Sequence, residues 1–305
     1  MKAMRKILII LWSAIALVLL SVLLFFVIGG SPVGYDSGAA GGPLTLALDE
    51  TLPVDALKNV LLDLSDEDVE IHLTDAPDIR VMHYKADSSQ GRLEVRTSGD
   101  TLTIRRAADL RFRLYLNFLS QPNRVEVYLP RSFAPVLNID MSSGQVEFFD
   151  AMQLSGLEID MSSGKLLSGH VLEAPRASVD ISSGSLELAA LHSGSFSLDV
   201  SSGHVSIGEL RGNAKVEVSS GNVRLARLEL GDTLDIEVSS GKVEIGIAGN
   251  PSFTYLGKLT SGRVDTYFST SGAEDRERTA AVGDNPVKSI VTRVTSGSVE
   301  IEQVD

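Results

Sequence analysis

Six near-identical strings recur along this chain, "IDMSSG", "IDMSSG", "VDISSG", "LDVSSG", "VEVSSG" and "IEVSSG", and they place glycines at 144, 164, 184, 203, 221 and 241. Weaker copies, "LTSG" and "VTSG", end at Gly262 and Gly297. Consecutive spacings are 20, 20, 19, 18, 20, 21 and 35. A unit near twenty residues is too short for a propeller blade, which takes about 40–45. It suits one coil of a parallel β-solenoid, each coil stacked on the last. The spacing therefore predicts an all-β, β-helix-like fold.

The hydrophobic alternation locates the bend. Leu137, Ile139 and Met141 share one face, and the next apolar residues are Val146 and Phe148. The step from Met141 to Val146 is odd, as it is from Val200 to Val205, Val218 to Val223 and Val238 to Val243. An odd step reverses the in/out phase, which a flat strand does not do. A corner at Ser-Ser-Gly explains it, with Gly supplying positive φ or a bulge and Ser supplying local hydrogen bonds. Gly144, Gly164, Gly184, Gly203, Gly221, Gly241, Gly262 and Gly297 are thus the repeat turns. A second, looser turn is expected half-way round each coil, at Ser155-Gly156, Ala174-Pro175, Ser193-Gly194, Gly212-Asn213, Gly231-Asp232 and Gly249-Asn250-Pro251.

Coils in register would stack like residues about 4.8 Å apart. One outward column then reads Asp140, Asp160, Asp180, Asp199, Glu217 and Glu237. Neighbouring charges at that spacing repel by about 1 kcal/mol in water, and Lys165, Arg224 and Lys242 are the cations expected to relieve them. Weak cation association with this column is left open, but no specific metal site is expected, because the calcium β-roll pattern G-G-x-G-x-D is absent. No cofactor is called for.

The amino terminus is of a different kind. "MKAMRK" precedes 22 uncharged residues from Ile7 to Ile28. As a helix they would span about 33 Å, enough for a bilayer. A cleavable signal peptide has a shorter apolar core and a small-x-small site, so a retained anchor is the preferred reading. Basic residues before it place residues 1–6 in the cytoplasm as a stub and the remainder outside. Residues 29–43, rich in Gly, Ala, Pro and Ser, read as a flexible linker. Residues 44–136 read as N-terminal β coils and a cap, and 137–305 as the repeat solenoid, with a loop at about 267–289. "VDALKN" (54–59) and "AADLRFRLYLNFL" (107–119) carry faint helical patterns. Because the chain stops just after a strand, its last coil is also expected to present an open edge suited to end-to-end assembly.

Chemistry is sparse. The net charge is −13, and the first thirty residues hold three cations and no acid, so the rest carries −16. That balance excludes a nucleic-acid partner, which needs a basic face. There is no cysteine, which removes disulfides, thiolate metal sites and lipidation through sulfur. "SSGK" at 162–165 and 239–242 matches S-x-x-K, but S-D-N and K-T-G are missing and the matches follow from the repeat. His72, His83, His170, His192 and His204 are scattered and read as surface residues of strands. A polysaccharide-active β-helix enzyme would need clustered acids and a substrate cleft. Aromatics are 6% of residues, and the most aromatic run, 110–119, precedes the repeat. That run, with Arg111, Phe112, Arg113, Tyr115 and Phe118, reads as a cap of the first coil or a docking patch.

The series "[IV][DE][VMI]SSG-x-[VL]", with "DVEIHLTDAPDIRVMHY" before it, "VEVYLP" at 125–130 and a closing "VTSGSVEIE", resembles a bacterial family of β-strand repeats grouped as adhesins of unknown function. The resemblance covers roughly residues 45–305 and implies an extracytoplasmic β-solenoid with no catalytic residues. The expected function is therefore a non-catalytic, membrane-anchored binding, adhesion or scaffold module of the cell envelope, with a protein or polysaccharide partner. The alternative is a regulatory or sensory ectodomain of the envelope-stress type acting through a membrane partner, and the lesser alternative is a polysaccharide-active β-helix enzyme. Handedness and oligomeric state stay open.

Overall fold

The computed structural model describes residues 44–85, 92–107, 123–272 and 276–305, and all regular structure among them is β. The expected membrane helix (7–28), the linker (29–43) and the aromatic run 110–119 lie outside the described residues. The first strands are β1 (Thr45–Leu52), β2 (Asn59–Leu64), β3 (Asp68–Thr74), β4 (Ile79–Lys85), β5 (Leu93–Ser98), β6 (Thr101–Arg106) and β7 (Arg124–Pro130). The middle of the chain forms β8 (Val136–Met141), β9 (Gln145–Phe148), β10 (Met152–Gln153), β11 (Gly156–Met161), β12 (Lys165–Ile181), β13 (Ser185–Val200), β14 (His204–Val218) and β15 (Asn222–Val238). The last are β16 (Lys242–Ala248), β17 (Phe253–Leu259), β18 (Arg263–Thr266), β19 (Glu277–Val282), β20 (Lys288–Val294) and β21 (Ser298–Val304). Residues 54–58, with their faint helical pattern, form a turn instead.

The architecture is solenoid-like. Each coil runs a strand into a Ser-Ser-Gly corner and out along a second strand, and both pair in parallel with the coils above and below. On either side of the Ser-Ser-Gly corner register is kept residue for residue, so Ile159 lies between Ile139 and Val179, and Leu186 between Leu166 and Val205. These inward columns are the core, and Phe148, Phe196 and Phe253 are its largest fully buried side chains. A fully buried side chain of this kind contributes about 1.5–3 kcal/mol. Nearest-neighbour stacking therefore carries the stability.

Each coil bends three times, not twice. Buried Leu188 and Leu191, Ile207 and Leu210, and Leu225 and Leu228 are three residues apart, so the phase reverses again between them. The ladder shifts register at Ser168/Val171 and Leu225/Leu228. The expected half-way turns at Ala174-Pro175, Ser193-Gly194, Gly212-Asn213 and Gly231-Asp232 are bends inside continuous strands β12 to β15.

The corners differ from expectation in what holds them. Of the repeat glycines only Gly144 has left-handed backbone, with φ 90°. The others are needed for closeness: a Cβ on Gly184 would sit 2.6 Å from Gly164 O, and one on Gly241 2.4 Å from Gly221 O. The stacking bonds are main-chain, as in Ser183 N donating to Ser162 O (2.8 Å) and Ser185 N to Gly164 O (3.0 Å). The serines of the inner corners are exposed. Ser143 Oγ is the exception and donates to Ser65 O at 2.7 Å.

Spatial order departs from chain order at both ends. Strands β2 and β3 form a coil directly under β8 and β9, and β6 and β7 lie beneath them. Antiparallel strands close this end, β5 on β6, β4 on β7 and β1 on β4. At the far end the coil of β20 and β21 is not outermost. It is inserted between β15–β16 and β17–β18. The outermost coil is β17–β18, and the interval expected as a loop supplies β19, which pairs antiparallel on β17. The expected open edge on the last coil in sequence is thus corrected: β20 is paired on both sides, and β21 is paired on both sides over Ser298–Ile301.

Candidate functional site

The outward column of acids forms as one continuous ladder on the face before the Ser-Ser-Gly corner. Asp140 pairs in register with Asp160, Asp160 with Asp180, Asp180 with Asp199, Asp199 with Glu217 and Glu217 with Glu237. The fold also adds a member that is remote in sequence, because Asp63 of β2 pairs with Asp140. Basic residues end the ladder at both extremes: Arg105 beside Asp63, and Arg293 then Lys258 beyond Glu237. These flanking residues were not legible without the layer order.

The cations expected to relieve this column do not. Lys165, Arg224 and Lys242 stand beyond the corner, on the next face, where acids of that face take them. Lys165 pairs with Glu187 at 3.0 Å and Arg224 with Glu244 at 2.8 Å, and Lys242 also pairs with Glu244. On the acidic face itself the ion pairs lie at the two ends, Arg105 with Glu94 at 3.1 Å at one, and Lys215 with Glu217 and Arg293 with Asp235, each at 2.5 Å, at the other. Among the described residues Asp140, Asp160, Asp180 and Asp199 hold no ion pair. Asn138, Glu158 and Ser178 lie one step along the strands beside them, lining a shallow open recess.

The electrostatic result is visible in two members. Partial burial first, then the charges of Asp160 and Asp63, push the Asp140 carboxyl above its ordinary value. Partial burial, then Asp199 and Asp160, does the same for Asp180. An acid whose pKa is raised on folding binds more protons folded than unfolded, so stability rises as pH falls into the window just above about 3.9. Above that window the repulsion is present in full. Asp180→Asn is therefore expected to stabilise the protein at pH 7, by less than about 1 kcal/mol because the face is solvated and screened. It should also flatten the stability difference between pH 4 and pH 7, and added salt should mimic it in wild type; melts at those two pH values and two salt concentrations check this.

Other residues singled out by sequence do not converge on a reaction centre. The corner serines of both "SSGK" strings are exposed. His192 lies 3.1 Å from Glu209 in an ion-pair group with Arg211 and Arg227. His72 is stacked between Tyr128 and Phe149, with ring centroids 5.0 and 4.7 Å away. His83 is not a surface residue: it is buried, and burial lowers its pKa. Among the described residues no three His, Asp or Glu side chains are grouped to hold a metal ion.

Comparisons place this geometry among known proteins. The family model described as Toastrack DUF4097 matches residues 57–302. No curated protein matches the chain. Among solved structures, a putative adhesin of Parabacteroides distasonis is 12% identical with a TM-score of 0.54, over 86% of this chain and 98% of that one. A putative adhesin of Bacteroides fragilis is 12% identical with a TM-score of 0.49, over 84% of this chain and 97% of that one. A putative lipid binding protein of P. distasonis is 15% identical with a TM-score of 0.49, over 85% of this chain and 98% of that one.

Proposed function

The chain belongs to the Toastrack DUF4097 family, and from that premise we propose that it is a non-catalytic binding module of the bacterial cell envelope. In this reading residues 7–28 anchor it in the membrane, 29–43 tether it, and the β domain stands outside the cytoplasm. The observation that carries the reading is the acidic ladder. A register-locked row of carboxylates costs repulsion, and the nearby cations are drawn to the next face instead of offsetting it. A surface of this kind recognises an extended partner that brings positive charge or a row of hydroxyl donors, and it repels polyanionic polymers. A protein segment or a neutral or basic envelope polysaccharide meets that description. The Parabacteroides protein that shares the fold carries the adhesin description itself, which agrees with a binding role.

The test uses the full-length protein in detergent, presented separately to isolated wall polymer and to solubilised membranes. Wild type should be retained by one of them, with affinity that falls as salt rises. A variant with Asp140, Asp160, Asp180 and Asp199 all changed to Asn should lose at least tenfold in retention while melting no earlier than wild type. Retention on wall polymer indicates adhesion. A stoichiometric integral-membrane partner indicates the regulatory reading. If wild type is retained by neither, or the variant binds unchanged, the acidic face is not the binding surface.

A further inference from the structure

The coil formed by β20 and β21 fills a slot whose two walls are each built to receive a coil of the same pattern. On one wall Thr295 N donates to Val238 O (2.9 Å), Ser296 N to Ser239 O (2.7 Å) and Ser298 N to Gly241 O (3.0 Å). On the other, Thr260 N donates to Val294 O (2.9 Å), Ser261 N to Thr295 O (2.7 Å) and Arg263 N to Gly297 O (3.0 Å). These repeat the corner bonds of every internal coil. The slot therefore recognises the shape and register of this coil, and nothing in those contacts depends on which copy of the chain supplies it.

The connection into the slot is short and held uphill. Residues 283–287 join β19, on the outer side of β17, to β20, on its inner side, a displacement of about 9.6 Å across two strand spacings. Gly283 has φ 75° and Asn285 φ 48°, and Asn285 is the one non-glycine with positive φ among the described residues. It precedes Pro286, and a residue before proline favours extended backbone. Val287, next in line, is 88% exposed. Straightening this segment lets Asn285 relax to extended φ and carries the last coil away from its own slot. A short hinge that gains by opening is the geometry that favours exchange of an element between copies.

We propose that this slot is a self-association site, filled by the last coil of a second copy of the chain through coil exchange. Reciprocal exchange closes a dimer, and one-way exchange extends a row of copies. Every core contact of the single chain is reproduced across the junction, and the hinge is the segment that changes.

The absence of native cysteine makes disulfide trapping a clean test. Glu237 and Arg293 are exposed register partners across one wall of the slot, and neighbouring strand positions satisfy disulfide geometry. Two differently tagged full-length chains, one Glu237→Cys and the other Arg293→Cys, are co-expressed in membranes and oxidised. A mixed disulfide dimer is expected, and deleting Asp284 and Asn285 should raise its fraction at least threefold by straining the return path. A chain carrying both substitutions reports whether the slot is filled at all. The proposal is overturned if the double variant closes internally while co-expressed chains give no mixed dimer at either hinge length. It is overturned equally if Asp180→Cys, several layers away, traps as much dimer, or if no disulfide forms in any combination.

Discussion

Gly184→Val is expected to cost the protein roughly 3 kcal/mol or more, whereas Ser183→Ala, one residue earlier, should move stability by no more than about 0.5 kcal/mol. The asymmetry comes from what each atom would meet. A Cβ at Gly184 lies 2.6 Å from Gly164 O and 3.0 Å from Met161 Sδ. The first contact is with main chain that is itself pinned, since Gly164 O accepts from Ser185 N at 3.0 Å. Relief requires separating two coils at their corner, which breaks stacking bonds on both sides and opens the core around Met161 and Ile181. Even Gly184→Ala meets the same oxygen. Ser183, by contrast, contributes its main-chain N–H to the stack, donating to Ser162 O at 2.8 Å, and its exposed side chain can be trimmed without touching that bond. Thermal melts of the full-length protein in detergent check the pair. A Ser183→Ala loss as large as that of Gly184→Val would mean that the hydroxyl, and not glycine closeness, holds the corner. Because stability in a stacked fold is summed over neighbours, the valine variant should also melt in more than one step, as the coils on either side part company.

Much of this was open to inspection in the sequence, for a simple reason. Wherever consecutive coils are neighbours in space, the twenty-residue spacing fixes the register, and with it the partners of Ile159, Asp160 and Gly164. The same logic failed where chain order and spatial order part. Asp63 joins the acidic ladder because β2 slides beneath β8, and nothing in the local pattern "NVLLDL" announces a partner 77 residues on, at Asp140. Arg293 precedes Lys258 in the ladder although it follows it in the chain. The third bend was legible in principle, since Leu188 to Leu191, Ile207 to Leu210 and Leu225 to Leu228 all step by three, and an odd step had already marked the Ser-Ser-Gly corner. Charge was the hardest to read. Lys165 is five residues from Asp160 in the chain, yet the corner between them turns its ammonium to Glu187 and away from Asp160. Distance along a strand is a poor guide to which face a charge serves once a corner intervenes.

The second large effect is expected where the last two coils meet. Thr292 is fully buried, and its hydroxyl lies 2.8 Å from the Tyr255 hydroxyl, itself nearly inaccessible. In the six coils that contribute β8 and β11 to β15 the register position of Thr292 is an aliphatic residue, Ile139, Ile159, Val179, Leu198, Val216 or Ile236, and in β17 it is Gly257. The ring of Tyr255 reaches Thr292 because Gly257 leaves room, a Cβ there being 2.2 Å from the Tyr255 oxygen. Thr292→Val keeps the volume and strands that phenol in hydrocarbon, so a loss of about 2 kcal/mol is expected. Tyr255→Phe combined with Thr292→Val should recover most of it, since removing both polar groups leaves nothing unsatisfied. A double-mutant cycle by denaturant unfolding measures the coupling, and a double variant as unstable as Thr292→Val alone would refute the pairing. The pair also bears on which coil enters the slot, because an apolar coil from elsewhere in the repeat would leave Tyr255 without its partner. A buried polar pair that costs little when satisfied and much when mismatched is a device for choosing one partner among similar ones. In the double variant that choice is lost, and other coils of the repeat should then compete for the slot. The competition would show as a disulfide between Glu237→Cys and a cysteine placed on an earlier coil, a product that wild-type Tyr255 and Thr292 should exclude.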